Sequence, residues 1–372
     1  MMFKRWVWLG IVGLFSLWGC QSLQPQPIKI GLAIDLSGSG GVVGEYIRNG
    51  VMLAVREINE AGGINGRRLK LIIQDDAGTH QGALTADQRL VSQGVVAILG
   101  HSTSSTTLVG HSYLSSRKIL EITAYATTSE LSGRDDFLFR TCVDTRLYAR
   151  VIARYLKDRG YHRVVTLLDV GNFAYSLDLY RYLATIFPGT IDFVRYHPAK
   201  DRSRYKSLVE RILSLRPEVV FLLTDTYTTA FFVQRLRQAG FKGNFLATIW
   251  AQSPELKEFG GPATEGLELI SFVPSQRKTR AYKALKEKVK RYFHHPLTAW
   301  TATGYEMVEV LSQALKACPQ AQPDCLKEAL LKGTFPTVLG QIHFDPYGDV
   351  VRPLYLIKIQ NNRFVDLGII EP

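Results

Sequence analysis

Beyond position 27 the chain alternates short apolar runs with longer stretches in which apolar residues return every three or four positions. Residues 28–36, IKIGLAIDL, are nearly all apolar, as in a strand covered on both faces. Residues 44–63, GEYIRNGVMLAVREINEAGG, carry one apolar stripe and stop at paired glycines, as an amphipathic helix does. The same reading places strands at 67–76, 95–100 and 119–125, with helices at about 80–93 and 107–117 between them. After 136–144 the rhythm restarts. Helices at 145–159, 176–187, 203–215 and 228–239 alternate with strands at 163–170, 190–197, 218–225 and 244–250.

Regular strand–helix alternation builds a parallel sheet with helices on both faces. Two such runs predict an α/β fold of two doubly wound, Rossmann-like lobes. Long helices at about 276–293 and 298–316, the segment 340–350, and a closing hairpin in RPLYLIKIQNNRFVDLG bring late chain back to both lobes. The expected division is 28–144 with 272–348 for the first lobe and 145–271 with 349–372 for the second, joined by a multi-strand hinge. Ligands of such sheets lie beyond the carboxyl ends of the strands, here in the cleft between lobes.

The first residues break this pattern. Lys4 and Arg5 precede an apolar stretch from Trp6 to Trp18, short for a membrane span and typical of an export leader. Leu17-Trp18-Gly19-Cys20 resembles the lipobox of bacterial lipoproteins, so 1–19 is expected to be a signal peptide, Cys20 a lipidated cysteine and 20–27 a polar linker. The protein is then exported and membrane-anchored. At 372 residues, 46% hydrophobic and 21% charged, it is an ordinary globular chain. The net charge of +12 is spread along helices, and with export this argues against nucleic acid. Of four cysteines, Cys318 and Cys325 bracket the short PQAQPD loop and suit a disulfide in an oxidising compartment, which leaves Cys142 as a buried thiol. No metal-ligand spacing surrounds them, and neither metal nor cofactor is expected.

Candidate chemistry concentrates at strand ends. SGSGGVVG (37–44) misses the dinucleotide fingerprint because Val43 stands where its third glycine belongs, and no phosphate-binding P-loop occurs. In AILGHSTSSTTLVGHS (97–112), Ser104 has no glycine-flanked elbow, and His101 in the same turn suits a packed loop residue better than a base. An enzyme is therefore not expected. Instead, hydroxyls and amides at the start of a helix near Ser105 suit a carboxylate, with the helix dipole behind them. ILEITAYATTSEL repeats the device, with Thr127 and Glu130 spaced as a capping box opening another helix and the Tyr125 carbonyl free for a ligand ammonium.

IKIGLAIDLSGSGGVVG (28–44), INEAGGINGRRLKLIIQDD (58–76), AILGHSTSST (97–106), ITAYATTSEL (122–131) and the set Gly340, Ile342, Phe344, Asp345, Gly348, Asp349 together resemble the leucine/isoleucine/valine-binding family of solute receptors for ATP-driven (ABC) importers, of type I periplasmic-binding fold. The resemblance implies that Ser104, with Ser105 beside it, and Thr127 hold a ligand α-carboxylate. It implies that backbone at Tyr125 and Ala126 meets the α-ammonium, and that Tyr175, or Phe173 if the loop is shorter, closes from the second lobe. Two departures stand out. Val43 replaces a pocket aromatic, and Ile249 and Trp250 occupy the place of an acidic residue, for which Asp225 is the substitute unless it caps a helix. The implied function is a monomeric, lipid-anchored receptor that gives an amino acid, branched-chain or a related small carboxylate, to an ABC permease. A sensory module of the same fold and a urea or short-amide binder are the alternatives.

Overall fold

A computed structural model of the protein describes residues 25–371, so the leader, Cys20 and the lipobox lie outside the described residues. The first alternating block gives β1 (Ile28–Ile34), α1 (Gly41–Glu60), β2 (Leu69–Asp75), α2 (His80–Ser92), β3 (Ala97–Gly100), α3 (Ser104–Ser115), β4 (Leu120–Thr123) and β5 (Leu138–Arg140). These strands form one parallel sheet in the order β2-β1-β3-β4-β5. The central strands β1, β3 and β4 are buried almost throughout, because helices cover both faces.

The second block gives α4 (Thr145–Asp158), β6 (Arg163–Asp169), α5 (Phe173–Ile186), β7 (Thr190–Tyr196), α6 (Tyr205–Ser214), β8 (Val219–Leu223), α7 (Thr226–Gln238), β9 (Asn244–Thr248), α8 (Pro254–Gly260) and β10 (Glu268–Ser271). The chain then returns to the first lobe with α9 (Arg280–Phe293), α10 (Ala299–Ala317), α11 (Pro323–Lys332) and the small antiparallel pair β11 (Thr334–Thr337) and β12 (Gly340–His343). It finishes in the second lobe as the hairpin β13 (Leu354–Gln360) and β14 (Arg363–Ile370). The second sheet runs β14-β13-β10-β9-β8-β6-β7, parallel from β7 to β10 and antiparallel beyond. The chain thus passes between the sheets three times, after β5, after β10 and after β12.

The α/β reading of the sequence holds, with two local corrections near the cleft. The helix after β3 starts at Ser104 with Thr103 as its cap, so the hydroxyl run lies in its first turn. No helix opens at Thr127. Thr128 caps a single 3₁₀ turn, Ser129–Leu131, because Ser132, Gly133 and the paired Asp135 and Asp136 that follow turn the chain toward β5.

Helices α1 and α10 pack unusually close. A Cβ on Gly50 would lie 2.1 Å from the Thr301 carbonyl oxygen, and one on Gly304 would lie 2.5 Å from that of Ile47. Both positions need a residue without a side chain. The contact fixes the first turn of α10, which carries Trp300, over the end of β4, where Tyr125 and Trp300 meet with ring centroids 5.4 Å apart. A disulfide joins Cys318 and Cys325, and burial pushes the free thiol of Cys142 up to about 12. Among the described residues no helix is long and apolar enough to cross a membrane.

Candidate functional site

The residues that directly follow the strands of both lobes converge on one cleft, as strand-end loops do in doubly wound sheets. A cavity of about 30 Å³ lies there, walled by Tyr125, Tyr148, Tyr175, Trp250, Phe272 and Trp300 and reached by Ser102, Thr127 and Asn172. It adjoins a second chamber of about 110 Å³. The two share Ser102, Asn172, Trp250 and Trp300.

The smaller chamber holds polar atoms without partners. Ser102 Oγ, Thr127 Oγ1 and Trp300 Nε1 are shielded from solvent and make no hydrogen bond within the protein. Each such group costs on the order of 1–3 kcal/mol when buried unsatisfied. The indole is a donor only and the hydroxyls can donate, so the three suit an acceptor such as a carboxylate. Tyr148 adds a fourth such group, its hydroxyl beside the backbone of Phe272.

The hydroxyls expected to bind divide differently. Ser104 is fully buried, but its Oγ accepts the Thr128 amide at 3.2 Å and does not line either chamber. It ties the two turns together, and Ser102 takes the cavity-facing place that the sequence reading gave to Ser104. Ser105 spans the lobes, donating its amide to Asn172 Oδ1 at 3.2 Å and accepting the Ala174 amide at 3.3 Å. The Ala126 carbonyl accepts Arg140 Nη1 at 3.0 Å, so it faces the lobe interior. Tyr175 lines the cavity and bonds Thr248 through its hydroxyl at 2.8 Å, whereas Phe173 is exposed.

Arg140 explains how the Thr127 turn is held. Its buried guanidinium donates to the carbonyls of Ala126 and Thr128 and pairs with Asp349 at 2.6 Å. Asp349 is in turn fixed by Asp345, which caps the tight turn at Tyr347 and Asp349. The Asp345–Asp349 segment therefore acts on the site through Arg140.

The larger chamber is acidic. Asp35, Asp169 and Asp225 line it, and no Lys, Arg or His lines either chamber among the described residues. Asp225 is the N-cap of α7, accepting the amides of Tyr227 and Thr228 at 2.8 and 3.0 Å, which is the capping role the sequence left open. Its position still brings it to the chamber beside Trp250 and Tyr227. Asp35 accepts the amides of Gly38 and Gly40, and burial raises its pKa. Asp169 is pushed up to about 7 by burial and by the charge of Asp225.

Elsewhere the polar clusters bond chiefly among themselves. His101 lies fully buried between Asp76 at 2.6 Å and Asp87 at 3.2 Å, a packed loop residue and not a base. Asp35, Asp75 and Asp76 come within 4.8 Å of one another, but amides and His101 take up their oxygens. A wider hollow of about 490 Å³ lies among solvent-facing side chains such as Lys283 and Lys286.

Across the cleft the lobes touch directly. Asp178 on α5 accepts Thr128 Oγ1 at 3.2 Å, the Ser129 amide at 2.7 Å and Ser129 Oγ at 3.0 Å, and the Tyr46 hydroxyl of α1 donates to Glu255 on α8. A donor-lined cavity thus lies between two doubly wound lobes, and residues 27–363 match the periplasmic binding protein family. The chain belongs to that family. Relatives of this periplasmic binding protein include Leu/Ile/Val-binding protein homolog 1 of Brucella suis biovar 1, 26% identical over 335 residues and covering 89% of both chains. The leucine-, isoleucine-, valine-, threonine- and alanine-binding protein of Pseudomonas aeruginosa is 25% identical over 342 residues, 88% of both. Its fold is similar to that of a leucine binding protein from Thermotoga maritima, with TM-score 0.85, 23% identity and coverage of 93% and 99% of the two chains. A solute binding protein from R. palustris in complex with benzoate is also similar, with TM-score 0.84, 18% identity and coverage of 93% and 97%. By name these relatives and neighbours are binding proteins, and the R. palustris protein is the solute binding protein of an ABC transporter.

Residue-level reading of the sequence missed Ser102, Tyr148, Asn172 and Trp300. Ser102 was in the hydroxyl run already singled out, and Asn172 lies three residues beyond Asp169, the end of its strand. Tyr148 and Trp300 come from the first turns of α4 and α10, which periodicity places on helices without saying which way they face.

Proposed function

We propose that the protein captures an amino acid or related small carboxylate between its lobes and hands it to an ABC permease. The carrying observation is the set of shielded, partnerless groups, Ser102 Oγ, Thr127 Oγ1 and Trp300 Nε1, around one cavity between the lobes. The α-carboxylate occupies that cavity, and the Tyr125 carbonyl takes the α-ammonium. Tyr175 and Trp250 close from the second lobe, meeting edge to face with centroids 5.6 Å apart. The lobes comprise 28–144 with 272–348 and 145–271 with 349–372, and they hinge at the three crossings. Closure follows because the ligand touches both lobes and so favours the closed state. Export through the leader and lipidation at Cys20 keep the receptor at the membrane as a monomer, and it performs no chemistry on its ligand.

Calorimetry on protein freed of copurified ligand by unfolding and refolding tests the reading with a panel of amino acids. Thr127→Val removes one donor to a charged group and is expected to weaken binding roughly tenfold to a hundredfold. Ser104→Ala loosens the Thr128 turn and is expected to cost less. Unchanged affinity in Thr127→Val would sink the carboxylate cradle.

A further inference from the structure

Three carboxylates, Asp35, Asp169 and Asp225, line the acidic chamber, more than a single α-ammonium already met by the Tyr125 carbonyl accounts for. Asp225 already accepts three protein donors, the amides of Tyr227 and Thr228 and the Thr228 hydroxyl at 2.6 Å, and Asp35 accepts two amides. Asp169 accepts one, the Gly171 amide at 2.7 Å on Oδ1. It is 2% exposed, faces a chamber without a cationic side chain among the described residues, and is adjacent to a second carboxylate. A buried carboxylate in such surroundings lacks the countercharge that normally accompanies one.

Independent of the acids, Trp300 is 4% exposed and its partnerless Nε1 belongs to a ring that lines both chambers, so the two form one site for one ligand. The donors cluster at the small end and the carboxylates at the larger end. A group held by its α-carboxylate at Thr127 therefore extends its side chain toward Asp169. The faces of Trp250 and Tyr227 at that end suit a cation as well.

Resting on the carboxylate cradle above, we propose that the ligand carries a second cationic nitrogen, ammonium or guanidinium, seated against Asp169 and Asp225. The protein is then a receptor for amino acids with positively charged side chains, and the surplus negative charge of its cavity selects them over neutral ones.

The test is calorimetry on the full chain, stripped and refolded, with lysine, ornithine and arginine against norleucine and benzoate. At least one cationic amino acid is expected to bind about thirtyfold or more tighter than norleucine, the scale of a buried charge pair. Asp169→Asn is close to isosteric and keeps a carbonyl for the Gly171 amide, and it is expected to collapse that ratio. Asp225→Asn keeps the helix cap and is expected to reduce the ratio, and it decides the matter if Asp169→Asn does not fold. Norleucine or benzoate binding as tightly as the cationic amino acids, or a ratio that survives both substitutions, overturns the proposal while leaving the cradle intact if Thr127→Val weakens norleucine. Binding of none of the five overturns both readings.

Discussion

His111 shows what a single buried residue does for the first lobe. It was one more polar side chain in the hydroxyl run, yet its Nε2 lies 2.9 Å from Asp136 and its Nδ1 3.3 Å from Glu121. Burial works against the charged ring, but the bonds and charges of the two carboxylates win and push it up to about 9. The unfolded value is near 6.5, so the folded state holds the proton more tightly. That stabilisation is complete below about pH 6.5 and disappears as pH rises through about 9. It amounts to at most on the order of 3 kcal/mol, at about 1.4 per unit. Urea unfolding of wild type and His111→Gln at pH 7.5 and 9.5 checks it. The wild-type advantage should shrink at the higher pH, whereas Asp169 and Glu309, both pushed up to about 7 by burial, are common to the two proteins and cancel in the difference. A pH-independent difference between the two proteins would refute the assignment. That the hydroxyl run lies at the cleft was legible from its place after a strand end. Which hydroxyl is free was not, because Ser104 is consumed by the amide of Thr128, and no sequence rule pairs positions that far apart.

At the scale of elements, alternation of apolar runs and striped helices was enough to predict two doubly wound lobes, since both signals are long and strong. The elements it missed are short. β10 is four residues, ELIS, and α11 is ten residues with the disulfide at its first turn, so each repeats its pattern too few times to stand out. The close packing of α1 on α10 was equally invisible, because Gly50 and Gly304 look like helix-weakening residues until the partner helix is in place. Gly304→Ala puts a methyl 2.5 Å from the Ile47 carbonyl oxygen, where backbone must move. The expected loss is about 1–3 kcal/mol of unfolding free energy, the usual cost of overpacking. Denaturant melts read it directly, and a loss under about 0.5 kcal/mol would mean the helices separate more easily than this contact implies.

For the whole molecule the balance between open and closed forms decides affinity, and part of it is set by contacts that no ligand makes. Asp178 projects from α5 of the second lobe and collects Thr128 and Ser129 of the first, along with Thr145 at 2.5 Å. The Thr128 and Ser129 bonds span the cleft, so opening must break them and hydrate the carboxylate. They therefore favour closure before the ligand adds its own contacts, and the affinity measured is the intrinsic one reduced by the fraction of protein not closed. Asp178→Asn retains the shape but turns the ionic acceptor into a weaker neutral one. If these bonds hold the lobes together, the variant binds its ligand about tenfold more weakly, and small-angle scattering shows a larger radius of gyration without ligand but an unchanged one at saturation. The saturated comparison carries the distinction. A variant expanded in both states would have a damaged lobe, whereas one with wild-type affinity and wild-type dimensions in both would place the closing free energy entirely in the ligand.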